Sequence, residues 1–207
     1  MVKRMAHALL AGLFFGYLIA MSGCSQLGQN TRNPQQPEYM TEAPLPVLGL
    51  PLGSLGRHVA ERQRLTVTSP SGDTKVLDAL LEIDETSLRM ALLQIGHVIA
   101  RLEWDGETTT ATLAPGWPKV VPAERILSEV QMALWPPETV QAHLPAPWQL
   151  DYHVSMRQLR HGDHVRLRFE FSDDGRHIAI AYADTGWQLS IDSVDAEPGT
   201  RSKGQGQ

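Results

Sequence analysis

Side chains that could do chemistry are sparse in this sequence. His161-Gly162-Asp163-His164 gathers two imidazoles and a carboxylate within four residues. Metal sites use such donors, but bring them together by i, i+4 spacing on a helix or by a second cluster elsewhere. Here the four residues read as a hairpin turn, to which His153 and His177 could come close only across strands. A solvated turn is the expectation, with no metal. Gly53-Ser54-Leu55-Gly56 sets a serine between glycines, yet lacks the G-x-S-x-G spacing of a nucleophile elbow and follows a Pro/Leu segment instead of a strand. Asp173-Asp174 resembles an acid/base pair only superficially. A glycosidase needs two carboxylates at a set separation across a cleft, whereas adjacent aspartates before Gly175 are turn chemistry. No catalytic residue and no cofactor are expected.

The remaining reactive group is Cys24, the chain's only cysteine. Lys3 and Arg4 precede a nearly unbroken apolar run from Ala8 to Ala20, and no acid stands before Cys24. The run is short of the roughly 20 apolar residues a spanning helix needs and suits a signal-peptide core. Met21-Ser22-Gly23-Cys24 resembles the bacterial lipobox, in which a thioether to diacylglycerol forms on the cysteine before cleavage. The resemblance implies removal of residues 1–23 and lipidation at Cys24. Two or three acyl chains, at about 0.8 kcal/mol per buried CH₂, make such an anchor stable. Ser25, where Asp would favour inner-membrane retention, implies the outer membrane, with the protein facing the periplasm. With its one cysteine acylated, the mature chain could form no disulfide.

Charge narrows the partners. Removing residues 1–23 takes two of the 18 basic residues and none of the 23 acidic ones, leaving a net of −7. That balance argues against nucleic acid and against electrostatic docking on anionic lipid. The polar segment 24–46, rich in Gln, Asn, Pro and Thr, reads as a flexible tether, because it cannot bury enough apolar surface to offset its ordering entropy. Residues 44–56 interleave Leu and Val with Pro and Gly, which excludes a regular helix and suggests an extended, partly buried strap. Residues 195–207 read as a disordered tail.

Between Arg57 and Val194 the apolar period is two. Leu65 and Val67 begin the series, and Leu77 to Ile83 and Leu88 to Leu92 fill the next two strands. Val98, Ala100, Leu102 and Trp104 share a face, as do Trp148, Leu150, Tyr152 and Val154. So do Val165, Leu167, Phe169 and Phe171, then Trp187, Leu189 and Ile191. Trp104, Trp148 and Trp187 are therefore expected in the core. Ser71-Gly72-Asp73, Asp105-Gly106, Asp174-Gly175 and Asp184-Thr185-Gly186 supply hairpin turns, so neighbours should be antiparallel. Pro122 to Trp135 breaks the pattern: Ile126, Leu127, Val130, Ala133 and Leu134 recur at helical spacing, and Pro136-Pro137 stop the helix. A short second helix is expected near Pro137 to Leu144. The expected fold is α+β and mainly β: six or seven antiparallel strands, the helical insertion, then three more strands. One helix and a strap are little cover for about nine half-apolar strands, so the sheet must curl or leave an apolar concavity.

The lipobox, Pro/Gln tether, antiparallel sheet and helical insertion together resemble the LolA/LolB superfamily of periplasmic lipoprotein carriers. Within it, ILSEVQMALWP, the upstream ALLEIDETSLRMALLQIGHVIARLEWDG and Gln63-Arg64-Leu65 resemble a LolA/LolB-like outer-membrane lipoprotein family whose members are often encoded beside aryl-polyene or related fatty-acid-type biosynthesis genes. The resemblance covers about residues 45–194. It implies a LolB-like β domain over 47–194, an incomplete barrel that receives acyl chains and is closed by helices. LolB also carries an exposed apolar loop. The corresponding hairpin here, Asp84-Glu85-Thr86-Ser87, is short and acidic, which points to another amphiphilic cargo. Trp117 and Trp135 flank the insertion where a cavity mouth would lie, and with Leu127 and Met132 they are the candidate residues for an acyl or polyene ligand. The competing expectation is a non-carrier scaffold that tethers envelope proteins, marked by an apolar patch on the outside of the sheet.

Overall fold

The computed structural model describes residues 43–119 and 121–194. The expected signal peptide 1–23, Cys24, the tether as far as Glu42 and the tail 195–207 lie outside the described residues. The chain enters as an extended strap from Ala43 and closes it with a 3-10 turn at Leu52–Leu55. Five strands follow: β1 (Val59–Thr68), β2 (Thr74–Ile83), β3 (Leu88–Gln94), β4 (His97–Trp104) and β5 (Thr109–Leu113). Then come α1 (Ala123–Leu134) and α2 (Pro137–His143). Five more strands complete the fold: β6 (Trp148–His153), β7 (Met156–His161), β8 (His164–Phe171), β9 (His177–Tyr182) and β10 (Gln188–Val194).

The ten strands among the described residues form one antiparallel sheet in the order β5-β4-β3-β2-β1-β10-β9-β8-β7-β6. The chain meanders outward from β1, crosses by the helices, and meanders back to pair β10 with β1. The sheet is unclosed, with β5 and β6 at its edges. Flat, it would be about 43 Å wide at about 4.8 Å per strand, whereas twelve-residue α1 spans only about 18 Å. Yet α1 packs on β4, β5 and α2, and α2 packs on β6. Both edges can reach one pair of short helices only if the sheet is strongly curved.

The expected half-apolar alternation holds in most strands. Ala79, Leu81 and Ile83 of β2, Leu88, Met90 and Leu92 of β3, and Leu167 and Phe169 of β8 turn into one shared core. Several expectations need correction. Five strands precede the helices and five follow, in place of six or seven and three. Strand β7 escaped notice because Leu159 is its only buried residue, and β9 because its alternation is Ile with Ala, both apolar. Two β-bulges also shift the period. Leu92 faces Ala100 while Leu93 faces Val98, so Val98 lies on the opposite face from Ala100 and is exposed. In β8, Leu159 faces Leu167 while Arg160 faces Val165, which places Val165 opposite Leu167 and tucks Arg166 inward. A bulge adds one residue to one strand and so inverts the alternation beyond it. Of the tryptophans expected inside, Trp148 is buried and Trp104 half-buried, but Trp187 is exposed. It lies in the β9–β10 turn, before β10 starts. Val154, at the β6–β7 turn, is fully exposed for the same reason.

Candidate functional site

Two different settings border α1. Along its length lies the strap. Leu48, Leu50, Leu52 and Leu55 are buried in the core, and packing begins at Ala43 and Leu45, inside the stretch expected as tether. An extended segment carries backbone N–H groups that need acceptors, and α1 supplies them. Leu48 N donates to Ser128 Oγ at 2.8 Å, and Leu50 N to Gln131 Oε1 at 2.9 Å. Trp135 Nε1 donates to Pro51 O and to Ser54 Oγ, each at 3.1 Å. The backbone passes so close to Trp104 that a Cβ on Gly49 would sit 2.9 Å from the indole ring. Opposite the strap, Tyr182 Oη donates to Glu129 Oε2 at 2.6 Å and Arg125 Nε to Glu129 Oε1 at 2.9 Å. Burial raises the Glu129 carboxyl above its ordinary range, against the opposing pull of Tyr182 and Arg125.

The expected ligand-binding residues fall within this packing. Leu127, Met132 and Trp135 are 2 %, 1 % and 0 % exposed and belong to the core. Trp117 is half-buried and donates through Nε1 to Val121 O at 2.8 Å. None of the four lines a described cavity. The interior that they were expected to leave open is filled by strap leucines.

Where α1 ends, the surroundings open. A groove of about 650 Å³ lies between the α1–α2 junction, the β6–β7 hairpin and the β8–β9 turn. Ala133, Leu134 and Pro137 form one wall; Tyr152, His153 and Val154 form the other. Phe171 and Ile178, paired neighbours on β8 and β9, give it an apolar floor. Ser172, Asp173 and Gly175 edge it at the turn, and Arg57 reaches it from the residues before β1. Arg157 crosses into it from β7. Its register partners are Tyr152 and the fully buried Phe169, so it occupies a position in the inward-facing row. Arg157 Nη1 donates to Met132 O at 2.6 Å and Trp135 O at 2.7 Å, carbonyls at the end of α1 where a cation is favoured. Its guanidinium also stacks over Phe171, 5.3 Å from the ring centre. Burial lowers its pKa from the ordinary arginine value, while nearby Glu138 pulls the other way.

A smaller cavity of about 140 Å³ adjoins the strap's 3-10 turn, with Arg57, His58, Asp84 and Glu85 around it. Asp84 Oδ1 accepts from Thr86 Oγ1 at 2.6 Å and from the backbone N–H groups of Thr86 and Ser87 at 2.8 Å, which lowers its pKa to about 2. Turn chemistry accounts for this aspartate.

The other candidates are dispersed. His161 and His164 pair at one end of β7 and β8, while His153 lies at the far end of β6 and His177 starts β9 there. His177 bonds Asp192 at 2.8 Å, and His161 packs on Trp148 with ring centres 4.8 Å apart. Among the described residues no group of three or more His, Cys, Asp or Glu could hold a metal ion. Ser54 Oγ donates to Pro51 O at 2.6 Å as it accepts from Trp135. Asp174 accepts from Ser172 Oγ and Arg176 N within its turn. Among the described residues, no helix is long and apolar enough to cross a membrane.

Sequence reasoning found Phe171 as an inward residue but missed Arg57, Tyr152 and Arg157 as neighbours of a site. The one signal was an arginine at an inward strand position, and it is readable only once β7 is known to be a strand. No curated protein matches the chain. Residues 60–195 match the family described as Protein of unknown function (DUF3261), and the chain belongs to that family.

Proposed function

We propose that the protein is a lipid-anchored envelope protein, held on the outer membrane through Cys24 and facing the periplasm, that carries the apolar part of an amphiphile without covalent chemistry. The observation that carries the reading is the groove of about 650 Å³ at the end of α1, floored by Phe171 and Ile178. Its volume lies in the range of small-ligand sites, about 300–1,000 Å³, and binding there would be driven by apolar burial at roughly 25 cal/mol per Å². The lipobox-like residues before Cys24, the curved unclosed sheet and the resemblance to the LolA/LolB carriers support the same reading. The strap leucines share one core with Leu127, Met132 and Trp135, so the proposed ligand site is the groove at the end of α1 and not the interior.

The test is a ligand census. Full-length protein is isolated from the membranes of its producing cells, stripped of loosely held lipid by detergent washing, and extracted for mass spectrometry. Acyl chains bound covalently at Cys24 stay with the protein. A noncovalent amphiphile in near-stoichiometric amount, lost on Tyr152→Glu with the fold intact, is expected; an extract with the composition of the bulk membrane would refute the reading.

A second reading, a scaffold for envelope proteins, is favoured by the outer face of β2–β4. Val76, Leu80 and Val98 are exposed there, and Ile95, at φ 50° in the β3–β4 turn, is 93 % exposed. A photo-reactive residue at Leu80 that crosslinks one envelope protein in cells, with no ligand in the groove, would favour the scaffold.

A further inference from the structure

The groove has an electrical polarity that its apolar floor does not explain. The chain as a whole is acidic, with a formal net charge of −5, but the groove is lined by two arginines, Arg57 and Arg157, against one aspartate, Asp173, while Glu138, outside the lining, acts on Arg157 through space. Among the described residues neither arginine has a carboxylate oxygen within ion-pairing distance. Arg157 stands in an inward-facing row where its neighbours are Phe169, Leu159 and Phe171, and a cation there loses hydration. Capping α1 uses only Nη1. A guanidinium has five N–H groups in a fixed fork, so the Nε and Nη2 edge remains. Neither of those nitrogens makes a described hydrogen bond, and Arg157 is among the residues that line the groove. A guanidinium edge above an aromatic floor, with a second arginine at the rim, complements a planar or tetrahedral oxyanion.

We propose that the groove takes a single-chain amphiphile with an anionic head, carboxylate or phosphate, its head against the free edge of Arg157 and against Arg57 and its chain over Phe171 and Ile178. This rests on the carrier reading and names its ligand class. Arg157 serves twice, closing the end of α1 and receiving the head, and Arg57 adds charge without a described structural bond.

The experiment compares three clickable diazirine probes of equal chain length, a fatty acid, an alkyl phosphate and a fatty alcohol, on full-length protein in isolated membranes, with adducts mapped by peptide mass spectrometry. Groove peptides, the β6–β7 hairpin and the β8–β9 turn, should label with at least one anionic probe about tenfold more than with the alcohol, as charge-assisted hydrogen bonds of this order predict. The stronger anionic probe names the head. Arg57→Gln, which breaks no described bond, should remove most of that preference. Arg157→Lys keeps the charge but not the fork, and should lower the preference while a normal melting temperature reports an intact α1. Equal labelling of the groove by all three probes overturns the anionic head and leaves the carrier standing. No groove labelling by any probe overturns both.

Discussion

Two neighbouring stretches of α1 behave differently. Around Ser128 and Gln131 the helix faces a peptide backbone, and its polar side chains are buried because they satisfy the strap's N–H groups. Around Ala133 and Leu134 it faces a groove whose other walls are an exposed hairpin and a turn. Apolar content does not separate the two, since both carry leucine, methionine or aromatic neighbours. What separates them is the partner. Backbone demands hydrogen-bond acceptors from the helix, whereas an open groove leaves charged groups such as Arg157 with donors to spare. Buried Ser and Gln beside an extended segment thus mark an internal occupant, and the half-used arginine over an aromatic is what the proposed external ligand would meet.

The comparison breaks most visibly on the filled side. Trp135→Ala, which removes a fully buried indole and its bonds to Pro51 and Ser54, should cost about 3–5 kcal/mol in urea unfolding. If Trp135 instead lined a ligand site, the loss would be small and ligand retention would fall. Ser128→Ala leaves the Leu48 N–H without its acceptor and should cost about 1–3 kcal/mol, with faster proteolysis within residues 43–55 as its local signature. On the open side, Tyr152→Glu should change stability by under about 0.5 kcal/mol, as surface substitutions usually do, while emptying the groove in the ligand census.

Two pH effects sharpen the contrast between buried and exposed groups. Burial and the neighbouring Glu129 push the Tyr182 hydroxyl well above the ordinary tyrosine value of 10.0. The unfolded chain therefore loses that proton first, and stability should fall as pH rises beyond about 10. Tyr182→Phe should flatten that alkaline fall, as followed by circular dichroism. Hydrogen bonds from Thr86 and Ser87 hold Asp84 at about 2 in the fold, against 3.8 for an ordinary aspartate. Its small, solvent-screened contribution is present above the unfolded value and is lost as pH falls from about 4 to about 2, and Asp84→Asn should remove that dependence. This is the smallest effect of the set.

Much of the scaffold was legible. Alternation in β2, β3 and β8 and the turns at Gly72, Gly106, Gly175 and Gly186 were readable because period-two patterns and positive-φ glycines act locally. Helix α1 followed from its spacing and from Pro136-Pro137. The bulges at Val98 and Val165 were not readable, since an added residue leaves no compositional trace. The candidate site was mostly hidden. Leu127, Met132 and Trp135 have the right chemistry for an acyl ligand, but their role depends on what fills the space beside them, and the strap that fills it is about 80 residues away along the chain.

The sequence by itself determined the antiparallel meander, the position of the helical insertion, the apolar strap and the acidic charge balance, because each is written in spacing or composition within one segment. Only the tertiary structure decided that β10 returns to β1, that the strap lies under α1, and that Arg57, Arg157, Phe171 and Tyr152 meet in one groove. Those outcomes depend on the curvature of a ten-stranded sheet and on which segment wins the space inside it, and both are long-range packing properties.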